Sequence, residues 1–207
     1  MQFWDRIYTG EKLHYGMEPN SFVAETVEEL LTSKRLKPGA RVIDVATGEG
    51  RNALYLGRSG FDVTALDSSS VGLGKARRRA EQEGVEISFL QEDFLSWKSD
   101  EPFDLVVTTF LHLPPEMMET LYQSLAELTL PGGYLLAEWF HPDQRLNGYT
   151  SGGPPEARMM VRPEHLRGSL KGWDLLINRR RERELREGNG HLGPAVVTQL
   201  LAVSPRL

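Results

Sequence analysis

The sequence predicts an α/β fold, a mostly parallel seven-stranded sheet with helices on both faces and a C-terminal antiparallel hairpin. Three observations carry this. Strand-like and helix-like segments alternate between residues 41 and 140, the order that builds a parallel sheet from βαβ units. Residues 41–52 run from a buried strand (Val42, Ile43, Val45) through Gly48 and Gly50 into a helix. Gly188-Asn189-Gly190 separates two late strand-like runs, as a hairpin turn does.

Residues 1–20 hold Trp4, Tyr8, Tyr15, Gly16 and Pro19. They are expected to form an ordered, non-helical arm across the mouth of a pocket. Asn20 or Ser21 caps a helix running to about residue 33, with Val23, Val27, Leu30 and Leu31 on one face. Strands follow at 41–45, 62–66, 86–90, 104–108 and 134–139. Between them come a helix at 52–59 stopped by Gly60, and one from a Ser68 cap to about residue 83. Pro114-Pro115 opens a third, with Leu121, Leu125 and Leu128 at helical spacing, and Pro131-Gly132-Gly133 turns the chain into the fifth strand. Residues 141–162 read as a loop near the pocket, 163–168 as a short helix, and 173–186 and 194–203 as the last two strands. The organisation is a single domain over residues 1–207: arm and helix (1–36), ligand-binding core (37–140), acceptor loop and hairpin (141–207).

At 207 residues, with 40% hydrophobic and 26% charged residues, the chain has the composition of one soluble globular domain. A net charge of −5 speaks against nucleic acid as a partner. The basic runs at 75–79 and 179–183 are interleaved with or followed by Glu and read as solvated faces. The absence of cysteine excludes disulfides, Cys-ligated zinc and thiol catalysis, and no metal site is expected. No apolar run is long enough to span a membrane, and residues 1–6 lack a signal-peptide layout. A cytoplasmic monomer or dimer without a membrane partner is the expectation.

In parallel sheets of this kind ligands bind beyond the C-terminal strand ends. Residues 44–50, Asp67, 92–94, 108–112 and 138–141 should therefore converge on one edge. Gly48-Glu49-Gly50-Arg51-Asn52-Ala53 fits a dinucleotide fingerprint, and Asp67 lies 19 residues beyond Gly48, near the spacing of a ribose-binding acid. By spacing alone a nicotinamide oxidoreductase fits. Asp44 argues otherwise: a carboxylate facing the cradle repels a pyrophosphate and attracts an ammonium group. Asp93 can accept from an adenine amino group, with Phe94 on the ring. An adenosine carrying a cationic amino acid, such as S-adenosylmethionine, suits this set better.

Here the chain resembles the class I S-adenosylmethionine-dependent methyltransferases. The resemblance is carried by Val42-Ile43-Asp44-Val45-Ala46-Thr47-Gly48-Glu49-Gly50-Arg51-Asn52, Val63-Thr64-Ala65-Leu66-Asp67, Gln91-Glu92-Asp93-Phe94, Phe103-Asp104-Leu105-Val106-Val107 and Leu130-Pro131-Gly132-Gly133. Ala46 stands where the family has its first glycine, and Thr47 where it commonly has a cysteine or similar small residue. Tyr15-Gly16, His112-Leu113-Pro114-Pro115, Gly152-Gly153-Pro154 and His191-Leu192-Gly193-Pro194 are similar to a narrower group of small bacterial, tellurite-resistance-type methyltransferases. The resemblance implies a Rossmann-like sheet and S-adenosylmethionine as cofactor. It places Asp44 and the Thr47-Gly48-Glu49-Gly50 backbone against the methionine part, with Asn52 in the first helical turn. Asp67 would hold the ribose hydroxyls and Ser68 would lie beside the adenine. Asp93 and Phe94 would meet the adenine itself, and Thr109 and Phe110 would flank the sulfonium.

The methyl of a sulfonium is already activated, so the enzyme supplies proximity and alignment for an in-line displacement. A general base is needed only if the acceptor carries a proton at attack. His112, Glu138 and His141 are the candidates, with Tyr15 and His191 second. The acceptor is expected to be a small molecule in a partly aromatic pocket of Phe110, Trp139, Phe140 and Tyr149. Metalloid methylation that relies on protein thiols is excluded; tellurite- or selenite-like oxyanions and small organic acceptors stay open. The alternatives are an NAD(P)-dependent oxidoreductase and a non-catalytic S-adenosylmethionine-binding protein.

Overall fold

A computed structural model describes residues 3–206. Met1, Gln2 and Leu207, with the parts of the leader and domain expectations that rest on them, lie outside the described residues. One sheet runs through the protein, and its strands are β1 (Arg41–Val45), β2 (Asp62–Asp67), β3 (Ser88–Gln91), β4 (Phe103–Thr109), β5 (Thr129–Phe140), β6 (Asp174–Glu187) and β7 (His191–Val203). Their order is β3-β2-β1-β4-β5-β7-β6. The first five are parallel, and β7 runs antiparallel to both β5 and β6.

Both faces of the central strands β1, β4 and β5 are buried, so these read as near-continuous apolar runs whose alternate residues serve two cores. Val42, Leu105, Val107 and Leu136 pack with Phe22, Val27 and Leu30 of α2 (Ser21–Thr32) and with Ala53 and Leu56 of α3 (Arg51–Arg58). Ile43, Val45, Val106 and Leu135 pack on the other face with Leu121 and Leu125 of α5 (Pro115–Leu128) and Leu166 of α7 (Pro163–Ser169). A short α6 (Asp143–Leu146) and a 3-10 turn (Ala157–Met159) lie between β5 and α7. After β1 the chain moves outward to β2 and β3 and returns to β4 on the other side of β1. That reversal opens a crevice beyond the C-terminal ends of β1 and β4.

The N-terminus of α2 is fixed by Asn20, whose Oδ1 accepts the Phe22 and Val23 N–H groups at 3.0 and 3.2 Å. Three expectations are corrected. Phe3–Tyr8 is a helix, α1, and not a helix-free arm; Asp5 Oδ1 accepts from Ser69 Oγ at 2.7 Å, a tertiary contact that overrides weak local propensity. The cap of α4 (Ser70–Glu83) is Ser69, not Ser68. Asp67 Oδ1 takes the Ser69 N–H at 2.8 Å, which leaves Ser69 Oγ to accept the Gly72 N–H. The hairpin strands also run on to Glu187 and start at His191, closer to the turn than expected. Pro194 is tolerated there because β7 has outrun β5, whose pairing stops at Phe140↔Val197.

Two stability effects follow from these local geometries. Asn20 is fully buried, and its Nδ2 also donates to Glu138 Oε1 at 2.7 Å. Asn20→Ala removes a cap and a bond to a buried carboxylate, and should lower the unfolding free energy by about 2–4 kcal/mol in urea titration. Ala46 holds a left-handed backbone, φ 58°. Ala46→Gly should raise stability by up to about 1 kcal/mol, since only the alanine carries the Cβ penalty there.

Candidate active site

The turn from β1 to α3 is a cradle built by backbone geometry. Gly48 and Gly50 both take positive φ, 58° and 78°. A Cβ on Gly48 would lie 2.6 Å from the Tyr8 hydroxyl, and one on Gly50 would lie 2.6 Å from Ala76 Cβ. Glycine is required at 48 by the tyrosine and at 50 by the packing of α3 on α4. The Gly48 N–H is donated to Asp67 Oδ2 at 2.7 Å, which ties the cradle to the end of β2.

A cavity of about 360 Å³ opens over this turn. Thr47, Gly48, Glu49 and Asn52 form its floor, with Asp67 and Ser68 from the end of β2. Asp93 and Phe94 flank it after β3, and Thr109 and Phe110 after β4. These are the expected cofactor positions, and the structure brings them together around one space. Trp4, Tyr8, Tyr15 and Gly16 enclose it from the N-terminal segment. That segment is strapped down: Glu49 Oε2 accepts the His14 N–H at 2.7 Å, and Lys75 Nζ bridges Glu49 Oε1 at 2.8 Å and the Gly10 carbonyl at 2.6 Å. Among the described residues, four acidic residues line the cavity (Glu49, Asp67, Glu92, Asp93) against one permanent cation, Arg51, and of the four Glu49 is ion-paired with Lys75.

Asp67 accepts two backbone N–H groups, and each oxygen keeps a further lone pair. Burial raises its pKa, and the N–H groups of Ser69 and Gly48 work against that rise. Asp93 Oδ1 accepts the Leu95 N–H at 3.0 Å. Asn52 links Asn20 and Thr109: its Oδ1 accepts the Asn20 N–H and its Nδ2 donates to Thr109 Oγ1. Asp44 is 1% exposed and lies beneath the lining, its Oδ2 accepting from Thr47 Oγ1 at 2.5 Å. Burial pushes its pKa up to about 7, against the opposing Thr47 hydrogen bond. Gly50 lies outside the lining, at the N-cap of α3.

The three first-choice bases are not in the cavity wall. His112 has both ring nitrogens engaged. Nε2 accepts the Phe140 N–H at 3.1 Å, which leaves Nδ1–H to donate to the Met159 carbonyl at 2.9 Å. Burial holds its pKa down to about 4. Glu138 is fully buried between Arg183, Asn20 and Gln199. His141 is turned toward Asp143, whose N–H it accepts at Nδ1. Trp139 and Phe140 are core residues, and Tyr149 does not line the cavity, so the expected aromatic pocket shrinks to Phe110. The second-choice pair does line it: the rings of Tyr15 and His191 lie 4.5 Å apart, and His191 is 4.4 Å from Phe110.

Sequence reasoning missed Glu187. Its carboxylate meets Arg51 Nη1 at 2.9 Å, an ion pair without hydrogen-bond alignment. It also meets Arg183 Nη2 at 3.0 Å, Asn20 Nδ2 at 3.2 Å and His191 Nδ1 at 3.3 Å. Burial would raise its pKa, but the His191 hydrogen bond and the two guanidinium groups outweigh this and hold it at about 2. The signal was present, because a turn at 188–190 pairs residue 187 with residue 191.

The chain is similar to known proteins in sequence and in fold. Residues 42–133 match a family described as a methyltransferase domain. The "Probable S-adenosyl-L-methionine-dependent methyltransferase TehB" of Haemophilus influenzae is 29% identical over 110 residues, 52% of this chain and 38% of that protein. The "Probable thiol methyltransferase 2" of Arabidopsis thaliana is 30% identical over 122 residues, 57% of this chain and 52% of that protein. The chain thus spans between 38% and 52% of the length of these relatives. The crystal structure of TehB from Haemophilus influenzae superposes with a TM-score of 0.69 at 23% identity, covering 98% of this chain and 66% of that one. Magnesium protoporphyrin IX methyltransferase from Synechocystis PCC 6803 with bound SAH superposes at 0.68 and 21% identity, covering 97% and 92%. Residues 42–133 thus match the methyltransferase-domain family, in a chain similar in sequence and in fold to TehB.

Proposed function

We propose that the protein transfers a methyl group from S-adenosylmethionine to a small-molecule acceptor. The observation that carries this is the charge of the cavity: three carboxylates outside any ion pair (Asp67, Glu92, Asp93) beside an Arg51 that Glu187 already faces, around a glycine cradle. That surface repels a pyrophosphate and draws in a sulfonium and an ammonium group, which disfavours the NAD(P) reading. Asp67 is the residue for the ribose hydroxyls, Asp93 and Phe94 for the adenine, and the Thr47–Gly48 backbone for the amino-acid end, with Asp44 acting through its charge from beneath Thr47. Bound there, S-adenosylmethionine supplies an activated methyl group. The chain's own work is positional: Thr109 and Phe110 hold the end of β4 against the reacting region, and the strapped N-terminal segment excludes water.

Titration calorimetry with S-adenosylhomocysteine should give a dissociation constant in the micromolar range, about −8 kcal/mol. Asp67→Ala should weaken it by about 10²-fold, the loss of charge-assisted bonds to two hydroxyls, and should also lower the melting temperature, because the buried Gly48 and Ser69 N–H groups lose their acceptor. No heat and no thermal shift with the unaltered protein would sink the proposal.

The pH dependence has a defined sign. Asp44 titrates at about 7 in the free protein. A bound ammonium group favours the ionised carboxylate, so affinity should fall as pH drops through about 7 and level off above it. Asp44→Asn should flatten that profile between pH about 6 and about 8. A flat profile in the unaltered protein would remove Asp44 from cofactor binding.

A further inference from the structure

We infer that the methyl acceptor is a small, uncharged hydroxyl or thiol compound with a flat apolar body, deprotonated by His191, which Glu187 orients. This rests on the methyltransferase reading above and adds the class of acceptor.

The first support is the place. His191 lies 4.4 Å from Phe110 and 4.5 Å from Tyr15, ring to ring, beside the end of β4. Leu111, Leu113 and Met117 continue the same wall as an apolar rim. Rings in mutual contact of this kind present an aromatic wall against which a planar apolar body can lie.

The second is charge. An oxyanion acceptor needs an uncommitted cation. Arg51 faces Glu187, Arg183 is shared by Glu138 and Glu187, and Lys75 is bound by Glu49. The cavity wall therefore offers an incoming anion three carboxylates outside any ion pair, a Glu49 paired with Lys75 and one neutralised guanidinium among the described residues. Tellurite and selenite are poor fits, whereas an uncharged acceptor pays no such repulsion.

The third is the proton inventory. Glu187 is ionised and accepts only, so His191 Nδ1 must carry the hydrogen that faces it. Nε2 then holds the lone pair, and no hydrogen bond to it forms among the described residues. The charged and titratable groups facing the ring are Glu187 from the hairpin, Arg51 from α3, His14 and Tyr15 from the N-terminal segment, and His112 beyond β4. Burial lowers the pKa of His191, with Glu187 opposing, so the imidazole is neutral and basic near pH 7. Tyr15, pushed up to about 12 by burial, keeps its proton and serves as a wall and a donor.

The step balances. The acceptor's X–H proton passes to Nε2 as the X–C bond forms. The methyl–sulfur bond breaks with its electron pair left on sulfur. The products are the methylated acceptor, a neutral thioether and an imidazolium that returns its proton to water.

The test uses the full chain with S-adenosylmethionine and ring-substituted phenols and thiophenols of graded acidity, beside tellurite and selenite. The phenols or thiophenols should be methylated and the oxyanions not. His191→Gln should cut turnover by about 10²-fold or more while leaving S-adenosylhomocysteine affinity unchanged, and its deficit should shrink as the acceptor becomes more acidic. Turnover at saturating cofactor should fall on the acid side with a midpoint below 6.5, the ordinary histidine value, and that limb should vanish in His191→Gln. Nitrogen-15 NMR of the ligand-free protein should show His191 as the Nδ1–H tautomer, a state lost in Glu187→Gln. Because Glu187→Gln also releases two arginines, His191→Gln carries the kinetic test. Full turnover in His191→Gln, an Nε2–H tautomer, or preference for tellurite or selenite overturns the inference. So does failure of every phenol and thiophenol with a protein that binds S-adenosylhomocysteine. Absence of that binding would instead fell the methyltransferase reading beneath it.

Discussion

The carboxylate of Glu187 is the junction on which the rest of the site depends. It gathers Arg51 from α3, Arg183 from β6, Asn20 from the cap of α2 and His191 from β7. Two helices from one face of the sheet and two of its strands are thereby referred to one point. Such a buried cluster stabilises little by itself, because each charge has lost its water, but losing one member strands the others. Its effect is to fix positions. Arg51 stays at the cavity wall, the hairpin stays against α2, and the imidazole keeps one tautomer.

A second carboxylate does the same on the opposite wall. Glu49 lies in the glycine cradle, yet its side chain turns away from the floor to hold Lys75 and the His14 N–H. The cradle is thus used twice, its backbone for the cavity and its one acidic side chain for the N-terminal segment. Phe110 belongs to the same economy of position. It sits at φ 58°, an uncommon conformation for a bulky residue, and its N–H is donated to the Glu138 carbonyl at 2.7 Å. Strain of this kind persists where surrounding structure over-determines it, and it recurs at functional sites.

Much of this was legible in the chain, and what was not has a common cause. The five parallel strands, the Asn20 cap and the glycine turn are set by contacts a few residues long, so periodicity and cap chemistry reveal them. Asp67, Asp93 and Thr109 followed because strand ends in a parallel sheet converge whatever the loops do. The misreadings concern direction. His112, Glu138 and His141 do lie at the cavity end of the sheet, as expected. Which way each side chain turns depends on partners far away in sequence: Met159 for His112, Arg183 for Glu138, Asp143 and its neighbours for His141. Local pattern holds no record of those partners. α1 escaped for the same reason, since Ser69 and not its own sequence secures it.

The tip of the hairpin presses directly on the N-terminal segment. The Gly190 N–H is donated to the His14 carbonyl at 3.0 Å, and a Cβ on Gly188 would fall 2.4 Å from that same oxygen. The cavity is therefore closed by two stretches that most of the sequence separates. The loop-closure entropy for that contact falls late, after the parallel core has formed. During synthesis the glycine cradle emerges with its strands long before β6 and β7 leave the ribosome. Until then Arg51 lacks its counter-charge and the wall beside Phe110 is missing. The cavity is in this sense completed at the last step of folding, and a partly made chain carries the glycine turn without the closed wall.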